Sequence, residues 1–148
     1  MPIIGGPILN SGPIIDIVVG VCQVRGQLLK KHGFPVPPPV VVRTLLDTGS
    51  NVTGFSREVF RALDIRPFWK TPIYTPSTPI LSPHYCDLFH VSLSLVANGQ
   101  RHDFADWKVI AAEGWDVRGE VNGLIGRDML EVCNLFYLGP ERKFTLAF

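Results

Sequence analysis

The chain has 148 residues, 46% of them apolar and 18% charged, and its 14 basic against 13 acidic side chains leave a net charge of +1. That size suits one domain around a single core, and the composition excludes a disordered chain. Without a basic block, the charge excludes an electrostatic footprint for nucleic acid. Thirteen prolines and fourteen glycines interrupt the sequence too often for long helices and favour a β-rich domain. Cys22, Cys86 and Cys133 make an odd count with no Cys-x-x-Cys pair, which argues against a disulfide framework and against a zinc ribbon. The apolar N-terminus is broken by Pro2, Gly5, Gly6 and Pro7 with no preceding positive charge, so it reads as a poor signal peptide. With the unpaired cysteines, that points to the cytoplasm. No apolar run approaches the roughly eighteen residues of a membrane span.

In chain order, residues 1–12 read as a flexible lead-in. Residues 13–24, rich in β-branched side chains, predict a strand. A loop through Gly26, Gly33 and the Pro35–Pro39 run follows. Val40–Leu46 is a short apolar run that predicts a buried strand. Residues 56–64 predict a short helix with Ser56 as N-cap and Val59, Ala62 and Leu63 on its inner face, ended by Pro67. From Thr71 to Pro83, prolines alternate with hydroxyl and apolar residues, which forbids a central strand and suits an exposed, extended hairpin. Asp87–Val96 alternates as a strand, and Asn98-Gly99 is the strongest hairpin turn signal in the chain. Asp106–Ala112 and residues 121–126 predict further strands, residues 127–133 a helical turn or two, and Leu135–Leu138 with Phe144–Phe148 a closing hairpin.

One segment carries chemistry. Leu45-Leu46-Asp47-Thr48-Gly49-Ser50 leads a buried strand into a carboxylate, and Gly49 after it permits a tight turn that the Thr48 hydroxyl can lock. An Asp-Thr-Gly alone is weak evidence. About seventy-five residues on, however, Gly123-Leu124-Ile125-Gly126-Arg127-Asp128 repeats the design of apolar strand, glycine and short helix. The two segments together, with their order and spacing, resemble the retropepsin family, the single-domain aspartic proteases of retroviruses and their cellular and bacterial relatives. The resemblance runs from about Pro13 to the C-terminus. It implies an all-β, closed-barrel subunit with one or two short helices, active as a symmetric homodimer.

Asp47 is then the catalytic residue. Peptide hydrolysis by this route needs two carboxylates sharing a proton, one to activate water and one to protonate the carbonyl oxygen. No other aspartate of the chain is followed by Thr-Gly or Ser-Gly, so the second carboxylate comes from another chain on a two-fold axis. By the same resemblance Thr48, Gly49 and Ser50 form the active-site loop, with Thr48 bonding across the axis and the Gly49 carbonyl facing substrate. Tyr74, Thr75, Pro76, Ser77 and Thr78 fall in the flap that closes over a polypeptide bound as an added strand. Leu124, Ile125, Gly126, Arg127 and Asp128 support the loop from below. No metal and no cofactor is implied.

Three features depart from the family pattern. Asn51 stands where viral members often carry an aspartate, which removes an ion-pair partner from Arg127. The flap tip is proline-rich and lacks glycine. Counting from Gly126-Arg127 puts Asn134–Leu138 at the viral interface strand and makes the last hairpin an addition. A metal reading of His84, Cys86 and His90 lacks a fourth ligand; a polyproline-ligand reading of Pro35–Pro39 yields to a stiff loop. Trp69, Trp107 and Trp115 read as core or interface residues. The main alternative function is a dimeric peptide-binding or assembly module that keeps the fold and cleaves poorly or not at all.

Overall fold

The computed structural model describes residues 1–75, 78, 79, 81–112 and 119–148. In chain order the elements are β1 (Ile3–Leu9), β2 (Gly12–Val21), α1 (Gln23–Lys31), β3 (Val40–Leu46), β4 (Gly54–Phe55), α2 (Arg57–Ala62), β5 (Trp69–Ile73), β6 (His84–Ala97), β7 (Gln100–Ala111), β8 (Gly123–Ile125), α3 (Arg127–Leu130), β9 (Asn134–Leu138) and β10 (Lys143–Ala147). Strand periodicity decides which side chains face inward. In β2 these are Pro13, Ile15, Ile17 and Val19; in β3 they are Val42, Thr44 and Leu46. Thr44 is the polar exception, and its hydroxyl donates to the Ile15 carbonyl at 3.0 Å. Phe89, Val91, Leu93 and Leu95 of β6 and Val109 of β7 complete the inner wall.

The strands run in the order β6-β7-β4-β8-β3-β2, and β6 pairs again with β2, so this part of the sheet closes on itself as a six-stranded barrel. β5 hangs from β6 as the outer arm of a hairpin, and β1, β10 and β9 continue the sheet beyond β2. Between β6 and β7, Asn98 and Gly99 take φ of 51° and 76°, the two left-handed positions that a two-residue hairpin turn requires. The pairing of β3 with β8 is parallel, Thr44 against Gly123 through Leu46 against Ile125. Parallel partners need a long connection, and here that connection carries the whole β4–β7 region.

Three differences from the sequence expectation have physical causes. The first residues are a paired strand rather than a flexible lead-in. β1 lies antiparallel to β10 from Ile3 against Ala147 to Pro7 against Lys143, and it buries Ile8. Its prolines and glycines hid this, yet they sit where the partner crowds the chain: a side chain on Gly5 would approach the Phe144 carbonyl to 3.2 Å. The expected loop after β2 contains the helix α1, which buries no residue. It shows no apolar stripe but does contain good helix formers. It ends in a Schellman motif, with Gly33 at φ 72° and Phe34 N–H donating to the Leu29 carbonyl at 2.9 Å. In α2, Phe60 rather than Ala62 joins Val59 and Leu63 inside, and its ring stacks on Phe89 with centroids 3.8 Å apart.

No helix of the described residues is long and apolar enough to cross a membrane. If β1 is part of the core, Ile8→Ala should lower the unfolding free energy by about 2–4 kcal/mol in urea titrations. A free lead-in would leave the midpoint unchanged.

Candidate functional site

β3 delivers the chain to Asp47, whose N–H donates to the Ile125 carbonyl of β8 at 2.9 Å. The parallel pairing of the two strands therefore ends at the candidate carboxylate. The chain then turns back: Ser50 N–H donates to the Asp47 carbonyl at 3.2 Å, and Gly49 N–H donates to Asp47 Oδ1 at 2.9 Å. Ser50 Oγ, rather than Thr48, locks the loop, donating to the Val52 carbonyl at 2.8 Å. Thr48 is exposed and has no side-chain hydrogen bond among the described residues. Asp47 is half-buried, and among the described residues the Gly49 N–H is the one hydrogen-bond donor to its carboxylate.

The support beneath the loop comes from residues 124–128. Gly126 lies directly against Val52, where an added Cβ would come within 2.4 Å of the Val52 carbonyl carbon. Gly126 N–H donates to Thr53 Oγ1 at 3.1 Å, and that hydroxyl donates to Asp128 Oδ1 at 2.8 Å. Trp107 Nε1 donates to the other oxygen, Oδ2, at 3.1 Å. Arg127 N–H reaches the Ser50 carbonyl at 2.9 Å, and the Arg127 guanidinium donates to Asn51 Oδ1. Asn51 thus replaces an ion-pair partner with a neutral acceptor. Thr53 and Trp107 had no motif to mark them, although a buried indole N–H needs an acceptor.

A cleft of about 580 Å3 opens over the loop, lined by Asp47, Gly49, Ser50 and Asn51 below and by Thr71, Ile73, Tyr74 and Thr75 of the β5 arm above. Leu124 reaches the same cleft, whereas Ile125 is buried behind it. Thr78 does not line it; its hydroxyl receives the Thr75 N–H at 3.0 Å and its N–H donates to the Thr75 carbonyl at 2.9 Å, closing a tight turn. Pro76 and Ser77, like Trp115, lie outside the described residues. Of the histidine–cysteine set, His90 is engaged elsewhere, its Nδ1 2.6 Å from Asp106 Oδ1 and its ring over Phe68.

Cavities of about 660 and 630 Å3 open elsewhere, but their carboxylates are already occupied. Glu120 in the first accepts from Ser11. Asp87 in the second accepts from Arg57 at 2.9 Å and lies 3.5 Å from Lys70. The Arg57 hydrogen bond holds the Asp87 carboxyl below the usual carboxylate range. That pair ties the root of the β5–β6 arm to α2. The three cysteines are free thiols, and burial pushes Cys86 and Cys133 up.

No protein-family model and no curated protein matches the sequence. Solved structures do. A retropepsin-like aspartic protease from Rickettsia conorii superposes with a TM-score of 0.60 at 15% identity, covering 99% of this chain and 90% of that one. The simian foamy virus (mac) protease matches at 14% identity over 62% of this chain and 81% of that chain, with a TM-score of 0.40. The EIAV protease bound to an inhibitor matches at 14% over 80% and 85%, also with a TM-score of 0.40. The chain therefore has the retropepsin-like fold.

Two outcomes test the site's framework. Gly126→Ala should cost at least about 1–3 kcal/mol, because backbone rather than a movable side chain occupies the space; urea titration measures it. Asp87→Asn should lower stability at pH 7 by up to about 1 kcal/mol. Since the native carboxyl titrates below its unfolded value, that contribution is full above the unfolded pKa of about 3.9 and fades as pH falls through the lower native one. Wild type and variant should therefore converge at the acid end of a pH–stability curve.

Proposed function

We propose that this chain is one subunit of a homodimeric aspartic endopeptidase that hydrolyses peptide bonds in extended polypeptides. What carries this reading is the Asp47 carboxylate itself. It is half-buried, accepts a hydrogen bond from one backbone N–H, and faces a cleft that has no second carboxylate among its described lining residues. Two carboxylates in contact cannot both ionise, so a pair shares one proton. In the proposed dimer the ionised member takes a proton from water, whose oxygen attacks the peptide carbon. The protonated member gives its proton to the carbonyl oxygen. Collapse of the tetrahedral species returns a proton to the leaving nitrogen.

Thr48, exposed and without a side-chain hydrogen bond among the described residues, braces the two loops across the axis, and the Gly49 carbonyl takes the substrate backbone. Tyr74, Thr75, Pro76, Ser77 and Thr78 form the flap. The dimer contact is assigned to β9, one of the two edges of the sheet, where Phe136, Tyr137 and Leu138 are exposed. Apolar side chains on an open edge favour pairing with another strand. The compartment assigned is the cytoplasm. A peptide-binding module on the same fold is favoured by one feature, the glycine-free stretch of residues 71–83, which closes less readily than a glycine-rich tip.

Digestion of a mixed peptide library between about pH 4 and 7 tests the chemistry. Wild type should cut, and Asp47→Asn should lose roughly a hundredfold to ten-thousandfold in rate. Peptides bound by a confirmed dimer but left uncut at every pH would favour the module. Phe136→Asp should shift the mass in sedimentation to a monomer, abolish cleavage and leave the circular dichroism unchanged. A variant that stays dimeric removes β9 from the interface.

A further inference from the structure

The wall of the cleft over Asp47 is largely apolar, with Val52, Ile73, Leu88, Ile110 and Leu124 facing it. Among its described lining residues one is positively charged, Lys108. Lys108 belongs to β7, opposite His90 of β6 and on the same strand face as the neighbouring pair Leu88–Ile110, which faces the cleft. It is exposed and forms no ion pair among the described residues. Two of the described carboxylates near it are otherwise engaged, while Asp47 lines the same cleft. Asp106, two residues along the strand, meets the His90 ring at 2.6 Å, and Asp87 is held by Arg57 and Lys70. An ammonium group on a flexible stem, left unpaired at the rim of an apolar groove, attracts an anionic group that arrives with the ligand.

Building on the reading that an extended polypeptide lies in this cleft, we propose that Lys108 is a specificity-determining residue: it selects substrates with an aspartate or glutamate two residues from the apolar residue that packs on Leu88 and Ile110. Side chains of a bound strand alternate between faces. The preference therefore falls on one position of the peptide, with the apolar preference two residues away on the same side. An ion pair in contact with solvent supports a discrimination of roughly fivefold in kcat/KM.

The experiment uses peptide pairs differing only by Glu against Gln, scanned through the positions flanking the scissile bond. They are presented to wild type, Lys108→Met and Lys108→Glu at about 0.1 and 1 M salt. Wild type should prefer Glu at one position roughly fivefold. The Glu-to-Gln ratio should fall to near one in Lys108→Met, and Lys108→Glu should favour a Lys peptide there. The wild-type preference should shrink at high salt, where the screening length is about 3 Å. Cleavage without a Glu preference, or a preference that persists in Lys108→Met, overturns the proposal and leaves the endopeptidase reading standing. If nothing is cut, the endopeptidase reading fails, and fluorescence anisotropy of the same peptides decides the inference by itself. A Glu preference in Kd that Lys108→Met removes sustains it, and equal Kd values overturn it.

Discussion

Val52 passes so close to Gly126 that even a methyl group between them would overlap backbone, and the geometry around Asp47 depends on that crossing. Both segments reach it from the parallel neighbours β3 and β8, and where the ladder ends their amide groups need further partners. They find them in sequence: Asp47 N–H on Ile125, Gly126 N–H on Thr53, Arg127 N–H on Ser50. Asp128 then takes up the remaining donors, Thr53 Oγ1 and Trp107 Nε1. A loosened crossing would leave several of these groups unpaired in a poorly solvated place, at about 1–3 kcal/mol for each. The carboxylate loop is held from behind by this network as well as by its own Ser50 contacts.

The front of the same loop is different. Thr48 and Gly49 are exposed, and the Asp47 carboxylate has one donor among the described residues. Behind it the polar groups are satisfied, while ahead of it they face an open cleft between the loop and the β5 arm. That arm is tethered mainly at its root, where Asp87 joins Arg57 and Lys70. Beyond the root, Thr75 and Thr78 bond to each other.

What was readable in the sequence was whatever a local rule controls. Asn98-Gly99 declared its turn because few other residues accept two left-handed positions. The Asp47 loop and residues 124–128 were readable because glycine, carboxylate and apolar run have fixed roles at a crossing. β1 escaped notice because its strand character comes from β10, more than a hundred residues away in sequence. Its own Gly5, Gly6 and Pro7 argue against a strand. α1 escaped because it buries nothing, so no periodicity marks it. Thr53 and Trp107 are partners supplied by folding, as is the position of Lys108 in the cleft, which follows from the register of β6 on β7. No local pattern encodes a register across strands.

The two free edges of the sheet are built to opposite specifications. β5, at one end, carries Pro72 and Lys70, a missing donor and a charge, both of which discourage another strand from adding to an edge. β9, at the other end, has neither proline nor charge in Asn134–Leu138, and its aromatic side chains stay in solvent. The difference is what a chain needs if it associates through one edge while keeping the other free to move over a bound peptide. The carboxylate loop makes the same division, closed behind and unfinished in front.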